Sequence, residues 1–212
     1  MKQGFVKVAS ATPRIRVADP VYNAQVICEQ AKEAAEHGAK IVVFPELCIT
    51  GYTCNDLFLQ ELLLEKAKEA LLTIAEETGQ LETLFLVGLP VDKDGRLYNV
   101  AAVLYRGRIL GMIPKKNIPM YAEFYEGRHF TPGEETVTEY RLGKQVIPFG
   151  SNLLFRCEEL PELILGCELC EDLWVAEPPS TSHALMGATV IANLSASNET
   201  VSKDDYRTLL VK

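Results

Sequence analysis

The chain reads as an α/β protein built on a mixed β-sheet, and three features carry that reading. Over residues 5–89, apolar runs of strand length alternate with two amphipathic helical segments, the pattern of helices covering a layered sheet. Further along, strands follow one another across short polar turns, which brings in antiparallel hairpins. With 212 residues, 48% of them hydrophobic and 24% charged, the chain suits one globular domain with a sizeable core better than two small ones.

Taken in order, residues 5–9 read as an opening strand. Residues 19–37 read as a helix: Pro20 sits near its start, Val26, Ile27, Ala31, Ala34 and Ala35 recur at helical spacing, and Gly38 follows its end. Residues 41–44 form a continuous apolar strand ending at Pro45-Glu46. Residues 57–78 read as a second amphipathic helix stopped by Gly79, and residues 84–89 as a strand. Asp92-Lys93-Asp94-Gly95-Arg96 is a polar turn leading into a strand at 98–105, and Arg106-Gly107-Arg108 is a tight turn into a strand at 109–113. A polar and aromatic loop with Gly127, Pro132 and Gly133 fills the next stretch. Strands at 152–157 and 163–167, a helix at 180–186 and a strand at Val190–Leu194 complete the regular part. Residues 204–211 begin another helix, and the chain stops there without a cap or tail, as if cut from something longer.

The net charge of −8 argues against nucleic acid or an anionic membrane as a partner, since both call for a basic surface. The six cysteines are too sparse and irregular for a disulfide framework. Lys7 interrupts the apolar positions near the N-terminus, so no signal-peptide core or membrane span of about 20 apolar residues forms there. The expected location is reducing and cytoplasmic.

Three segments could carry chemistry. The apolar run before Gly166-Cys167-Glu168-Leu169-Cys170 delivers a thiol, Cys170, just past a strand end, where rigid backbone can present it as a nucleophile. A thiol in that role needs a base and an oxyanion donor. Glu46 lies at a strand end and runs into the apolar segment Leu47-Cys48-Ile49; an isolated charge there is costly, which calls for a nearby cation or a carboxyl that clings to its proton. The second property would suit a general base, whereas a plain strand-end glutamate bonded to backbone amides is the structural alternative. Lys115 and Lys116 follow a strand through Pro114, and either could steady an oxyanion and favour a thiolate, or both could be solvated loop lysines. The Cys167-x-x-Cys170 pair lacks the further ligands of a zinc site and sits among acidic residues, unlike a thioredoxin-type redox pair. Those acidic neighbours would raise the Cys170 pKa unless a cation such as Lys115 offsets them. No glycine-rich nucleotide cradle and no Gly-x-Ser-x-Gly elbow occurs.

Together these segments resemble the nitrilase (carbon-nitrogen hydrolase) superfamily, whose members carry Glu, Lys and Cys in this order, each at a strand end. Phe44-Pro45-Glu46 is similar to the family's base motif and Pro114-Lys115-Lys116-Asn117-Ile118-Pro119 to its lysine motif, with Cys170 on the nucleophile. Glu126 matches the accessory glutamate that helps orient substrate and lysine. Within the superfamily, Glu123-Phe124-Tyr125-Glu126, Cys170-Glu171-Asp172-Leu173-Trp174 and Asn193-Leu194-Ser195-Ala196-Ser197 look like signatures of the glutaminase domains of glutamine-dependent NAD synthetases.

The resemblance implies a four-layer αββα sandwich with mixed sheets, incomplete at its C-terminus, over residues 1–212. It implies glutamine hydrolysis by Glu46, Lys115 and Cys170, in a pocket lined by Tyr52, Tyr121, Glu171, Ser197 and Lys203. The released ammonia would pass to a synthetase domain absent from this chain, which would use ATP and Mg to amidate deamido-NAD in a homo-oligomeric parent; this chain itself would need no metal or cofactor. One departure is that Lys116-Asn117-Ile118 stands where the subfamily more often has a small residue, an aromatic and Leu, which bears on local packing. The rival readings are a stand-alone amidase or carbamoylase acting on another small amide, and a scaffold with an idle thiol.

Overall fold

The structure, a computed structural model, describes residues 4–212. It comprises ten strands and four α-helices: β1 (Val8–Ser10), α1 (Pro20–Glu36), β2 (Ile41–Val43), α2 (Glu61–Glu77), β3 (Leu84–Lys93), β4 (Arg96–Tyr105), β5 (Arg108–Pro114), β6 (Thr138–Leu142), β7 (Gln145–Phe149), β8 (Leu154–Arg156), β9 (Ile164–Leu169), α3 (Pro179–Leu185), β10 (Val190–Leu194) and α4 (Lys203–Leu210). Two mixed sheets result. The larger runs β1-β2-β3-β4-β5-β7-β6 and the smaller β10-β9-β8.

The helices form where capping and periodicity agree. Asp19 caps α1 by accepting from Tyr22 N–H at 3.1 Å, Pro20 occupies the first turn, and Ala24, Ile27, Cys28 and Ala31 form the buried stripe. In α2 the stripe is Leu63, Ala67, Ala70, Leu71, Ile74 and Ala75. Both stripes pack on one face of the large sheet, against Phe85, Val87, Leu89 and Val91 of β3 and Val100, Ala102 and Leu104 of β4.

The alternate residues of the same strands, Leu86, Ala101 and Val103, point the other way and meet Leu165, Cys167, Leu169, Ala192 and Leu194 of the small sheet. On the far side of that sheet α3 lays His183 against Gly166, where an added Cβ would come within 2.9 Å of the imidazole. The layers therefore run helices, sheet, sheet, helix, the αββα order expected. Burying both faces of β3 and β4 is worth about 1.5–3 kcal/mol per large aliphatic side chain.

Several sequence expectations are corrected. The opening strand is Val8–Ser10 rather than 5–9, and Phe5 is exposed. The helix read at 57–78 is two elements: a kinked 3-10 segment, Tyr52–Leu59, ends at extended Gln60 before α2 begins. The break turns Cys54 and Phe58 into a small core with Leu47, Leu63 and Phe130, which a continuous helix from Leu57 would not reach. The stretch read as loop before residue 152 contains the hairpin β6–β7, with Tyr140, Leu142, Ile147 and Phe149 buried. The polar turn at 92–96 shrinks to Asp94-Gly95, both with positive φ, so β3 and β4 pair as far as Lys93 and Arg96.

Candidate active site

Four segments meet at one end of the sandwich. After β2 the chain turns through Pro45-Glu46, with Cys48 N–H donating to Pro45 O at 3.3 Å and Gly51 N–H to Leu47 O at 2.7 Å. This turn lies directly on β3 at Gly88, whose Cβ would fall 2.3 Å from Leu47 N, so only a glycine permits the approach. Asn23, fully buried on α1, donates to Ile49 O at 2.9 Å and to Arg16 O at 2.7 Å, which fixes the far end of the turn. Lys115 follows β5, its N–H donating to Asn99 O on β4 at 2.8 Å and its carbonyl accepting from Gly133 N–H at 2.7 Å. Glu126 opens a single 3-10 turn, Glu126–Arg128.

Cys170 begins the 3-10 turn Cys170–Trp174 straight after β9, with φ of 41°, a strained backbone for a residue that carries a Cβ. Buried Asp172 holds this turn: it accepts from Leu169 N–H at 3.0 Å and from Asn117 N–H and Nδ2 at 2.7 and 2.9 Å. Asn117, the departure from the subfamily pattern, thus ties the lysine loop to the cysteine turn.

The side chains converge on Lys115, which is fully buried. Its Nζ lies 2.6 Å from Glu46 Oε1 and 2.6 Å from Glu126 Oε1. Asn99 Nδ2 donates to Glu46 Oε1 at 2.6 Å and to Glu126 Oε2 at 3.2 Å, Tyr52 OH donates to Glu126 Oε1 at 2.8 Å, and Ala196 N–H donates to Glu46 Oε2 at 3.1 Å. The cation called for beside Glu46 is therefore present. Burial alone would lower the Lys115 pKa, but the two carboxylates outweigh it and hold the ammonium charged. Burial and the neighbouring Glu46 raise the Glu126 pKa, with Lys115 and the Tyr52 hydroxyl pulling against them.

The Cys170 thiol is pushed up to about 12, first by burial and then by Glu46, while Lys115, the Ser195 hydroxyl and the Ala196 N–H pull it down. The acid that raises it is thus Glu46, not Glu171 or Asp172, whose places in the sequence suggested them. A thiol in that state is protonated at neutral pH and needs a base at the moment of attack.

Cys170 stands at the wall of a cleft of about 470 Å³, together with Tyr121, Phe124, Glu171, Trp174, Ser197, Asn198 and Lys203. Tyr121 OH donates to Glu171 Oε2 at 2.7 Å. Lys203 Nζ donates to Ser197 Oγ at 2.7 Å and to Asn198 Oδ1, and lies 5.3 Å from the Trp174 ring centre. Of the residues the sequence singled out, Glu46, Lys115 and Glu126 form the buried cluster, and Cys170, Tyr121, Glu171, Ser197 and Lys203 form the cleft. Tyr52 bonds to Glu126 of the buried cluster and sets its ring edge-on to Phe124 of the cleft, centroids 6.4 Å apart. Lys116 turns outward and pairs with Glu135.

Sequence reasoning missed Asn99, Asn198 and Tyr206, the last of which also lines the cleft. Asn99 is a polar residue inside the apolar strand run at 98–105, and that interruption was the available signal.

The carbon-nitrogen hydrolase family model matches residues 7–210 of the chain. The glutamine-dependent NAD(+) synthetase of Mycobacterium tuberculosis H37Rv is 41% identical over 211 residues, covering 100% of this chain and 31% of that protein. The Thermotoga maritima protein of the same name is 34% identical over 208 residues, covering 98% of this chain and 32% of its own length. The chain thus spans about a third of the length of the curated relatives it matches. Among solved structures, a glutamine-dependent NAD(+) synthetase from Cytophaga hutchinsonii superposes with a TM-score of 0.86 at 29% identity, over 97% of this chain and 33% of that one. An amidase of the nitrilase superfamily from Nesterenkonia AN1, at 21% identity and a TM-score of 0.71 over 97% of this chain and 70% of its own, shares the fold. A sandwich of this order, a buried Glu-Lys-Glu cluster beside a strand-end cysteine and a match along almost the full length agree: the chain belongs to the carbon-nitrogen hydrolase family.

Proposed function

We propose that this domain hydrolyses the side-chain amide of glutamine through Cys170, Glu46 and Lys115. The observation that carries the reading is the buried ion cluster of Glu46, Lys115 and Glu126 set beside a cysteine that opens onto a cleft. The cleft also offers two acids, Glu123 and Glu171, and one cation, Lys203, charges suited to the α-ammonium and α-carboxylate of a free amino acid.

Glu46 takes the Cys170 proton as Sγ attacks the amide carbon. Charge gathers on the carbonyl oxygen, where Lys115 and the N–H of Glu171, at the head of its 3-10 turn, stabilise it. Glu46 returns the proton to the leaving nitrogen, ammonia departs and a glutamyl thioester remains. Water, deprotonated by Glu46, attacks the thioester and releases glutamate, and the proton goes back to the sulfur. Glu126 orients Lys115 by accepting from its Nζ at 2.6 Å.

The relatives' names and the partial coverage support a wider proposal: in the whole protein the ammonia feeds a synthetase domain that uses ATP and Mg to amidate deamido-NAD. In the full-length protein, Cys170→Ala is expected to abolish NAD synthesis from glutamine while synthesis from free ammonia persists. Equal loss of both would overturn the division of labour. Ammonia release from aliphatic amides exceeding that from glutamine would instead favour a general amidase.

A further inference from the structure

We propose that Asn99 is a positioning residue for amide hydrolysis, one β4 side chain that sets the spacing and ionisation of both carboxylates around Lys115. The inference rests on the glutaminase reading above.

Asn99 is fully buried, and its two functional ends act on the same cluster. Its carbonyl accepts Lys115 N–H at 2.8 Å, which places the base of the lysine side chain. Its Nδ2 donates to Glu46 Oε1 at 2.6 Å and to Glu126 Oε2 at 3.2 Å, at the other end of the same lysine. The two acceptors decide the orientation of the amide, because the flipped rotamer would set its oxygen against two carboxylates.

The charge balance explains why a neutral donor is needed. Two buried carboxylates share one ammonium, so the cluster is one positive charge short. Like-charged acids this close tend to retain a proton between them. The groups facing the pair are Lys115 after β5, Cys170 after β9, the Tyr52 hydroxyl, the Ala196 N–H and Asn99. Of these, Lys115 and Asn99 donate to both acids, and Asn99 does so without adding charge. Its presence also has a cost: Asn99 Oδ1 is buried and has no hydrogen-bond partner among the described residues. Leucine, with the same number of side-chain heavy atoms, removes that oxygen together with both donor contacts to the carboxylates.

The test compares Asn99→Leu and the near-isosteric Asn99→Asp with the parent, all in the full-length protein, by ammonia release from glutamine between pH 5 and pH 9. For Asn99→Leu, kcat should fall ten- to a hundredfold, KM should change less than threefold, and the acid limb of kcat/KM should move up by about one pH unit. Asn99→Asp adds a third acid in place of the donors and should move the same limb upward. A folded variant with the parent's kcat and acid limb overturns the proposal, as does a fall in kcat with an unmoved limb. If neither variant folds, Asn99 holds the fold and the positioning role is rejected. Parent protein that releases no ammonia from glutamine overturns the glutaminase reading itself, which keeps the two failures apart.

Discussion

Lys115 concentrates the chemistry of this domain in one side chain. It is held without solvent exposure between Glu46 and Glu126, and in the proposed glutaminase reaction it is the donor that would meet the oxyanion. Lys115→Met is therefore expected to lower glutamine turnover by about two to three orders of magnitude, the scale of losing one oxyanion donor. It should also destabilise the fold by about 3–5 kcal/mol, because two buried carboxylates lose their counter-charge. Lys116→Met should change turnover less than threefold, since that lysine points away and pairs with Glu135 near the surface. Steady-state kinetics and urea unfolding of the two variants check this, and a crippled Lys116→Met beside a normal Lys115→Met would reverse the assignment. The glutamate and the two lysines were legible as candidates because each follows an apolar strand. Which lysine turns inward was given only by the family resemblance, because identical neighbours differ solely in the direction their Cβ leaves the end of β5.

At the scale of elements, the site depends on how closely the turn after β2 settles on β3. Gly88 meets that turn backbone to backbone, with Ile49 N–H donating to its carbonyl at 3.1 Å. Gly88→Ala would thrust a Cβ to 2.3 Å from Leu47 N, so the turn bearing Glu46 must lift. The expected result is a loss of about 1–3 kcal/mol in stability and at least a tenfold fall in kcat as Glu46 moves out of register with Lys115. Urea unfolding and kinetics with glutamine check it, and unchanged kcat would show that the turn tolerates the shift. The helices were read correctly where capping signals bracket an apolar stripe, as in α1. At Leu57-Phe58-Leu59 the apolar residues suggested that the helix starts early, but packing of Phe58 on Phe130, centroids 5.0 Å apart, outweighs local propensity. The β6–β7 hairpin escaped notice because each strand is five residues long and Pro148 lies within one of them, a residue that argues against a strand.

Across the whole molecule burial keeps several thiols protonated, and that makes its stability sensitive to alkali. Burial raises the thiols of Cys28 to about 11 and of Cys48 and Cys170 to about 12, and it raises Cys54 and Cys167 as well. In the unfolded chain these thiols ionise near 9, so below about pH 9 both states hold the protons and stability is unaffected. Between about 9 and 12 the unfolded state releases protons that the folded state keeps, and stability falls as pH rises. Tyr121, half exposed but raised to about 12 by partial desolvation and by its bond to Glu171, acts in the same direction. Urea midpoints should hold steady from pH 7 to 9 and then drop. Cys48→Ala should make that decline shallower by up to about 1.4 kcal/mol per pH unit, one proton's worth. Parallel declines in the two proteins would show that Cys48 does not hold its proton in the folded state.

By itself, the sequence determined the α/β class, most element positions and the residues around which the site is built. Those are local properties: the spacing of apolar side chains, the caps, and polar residues placed at the ends of apolar runs. Tertiary structure decided what depends on distant segments meeting. Only the sheet order places Glu46, Lys115, Glu126 and Asn99 around one ammonium, since their hydrogen bonds join positions 11 to 69 residues apart. Only packing on both faces of β3 and β4 hides the alternation that would mark an exposed strand. Asn99 shows the limit most clearly: in the sequence it is a polar break in an apolar strand, and its meaning comes from two carboxylates that other elements bring to it.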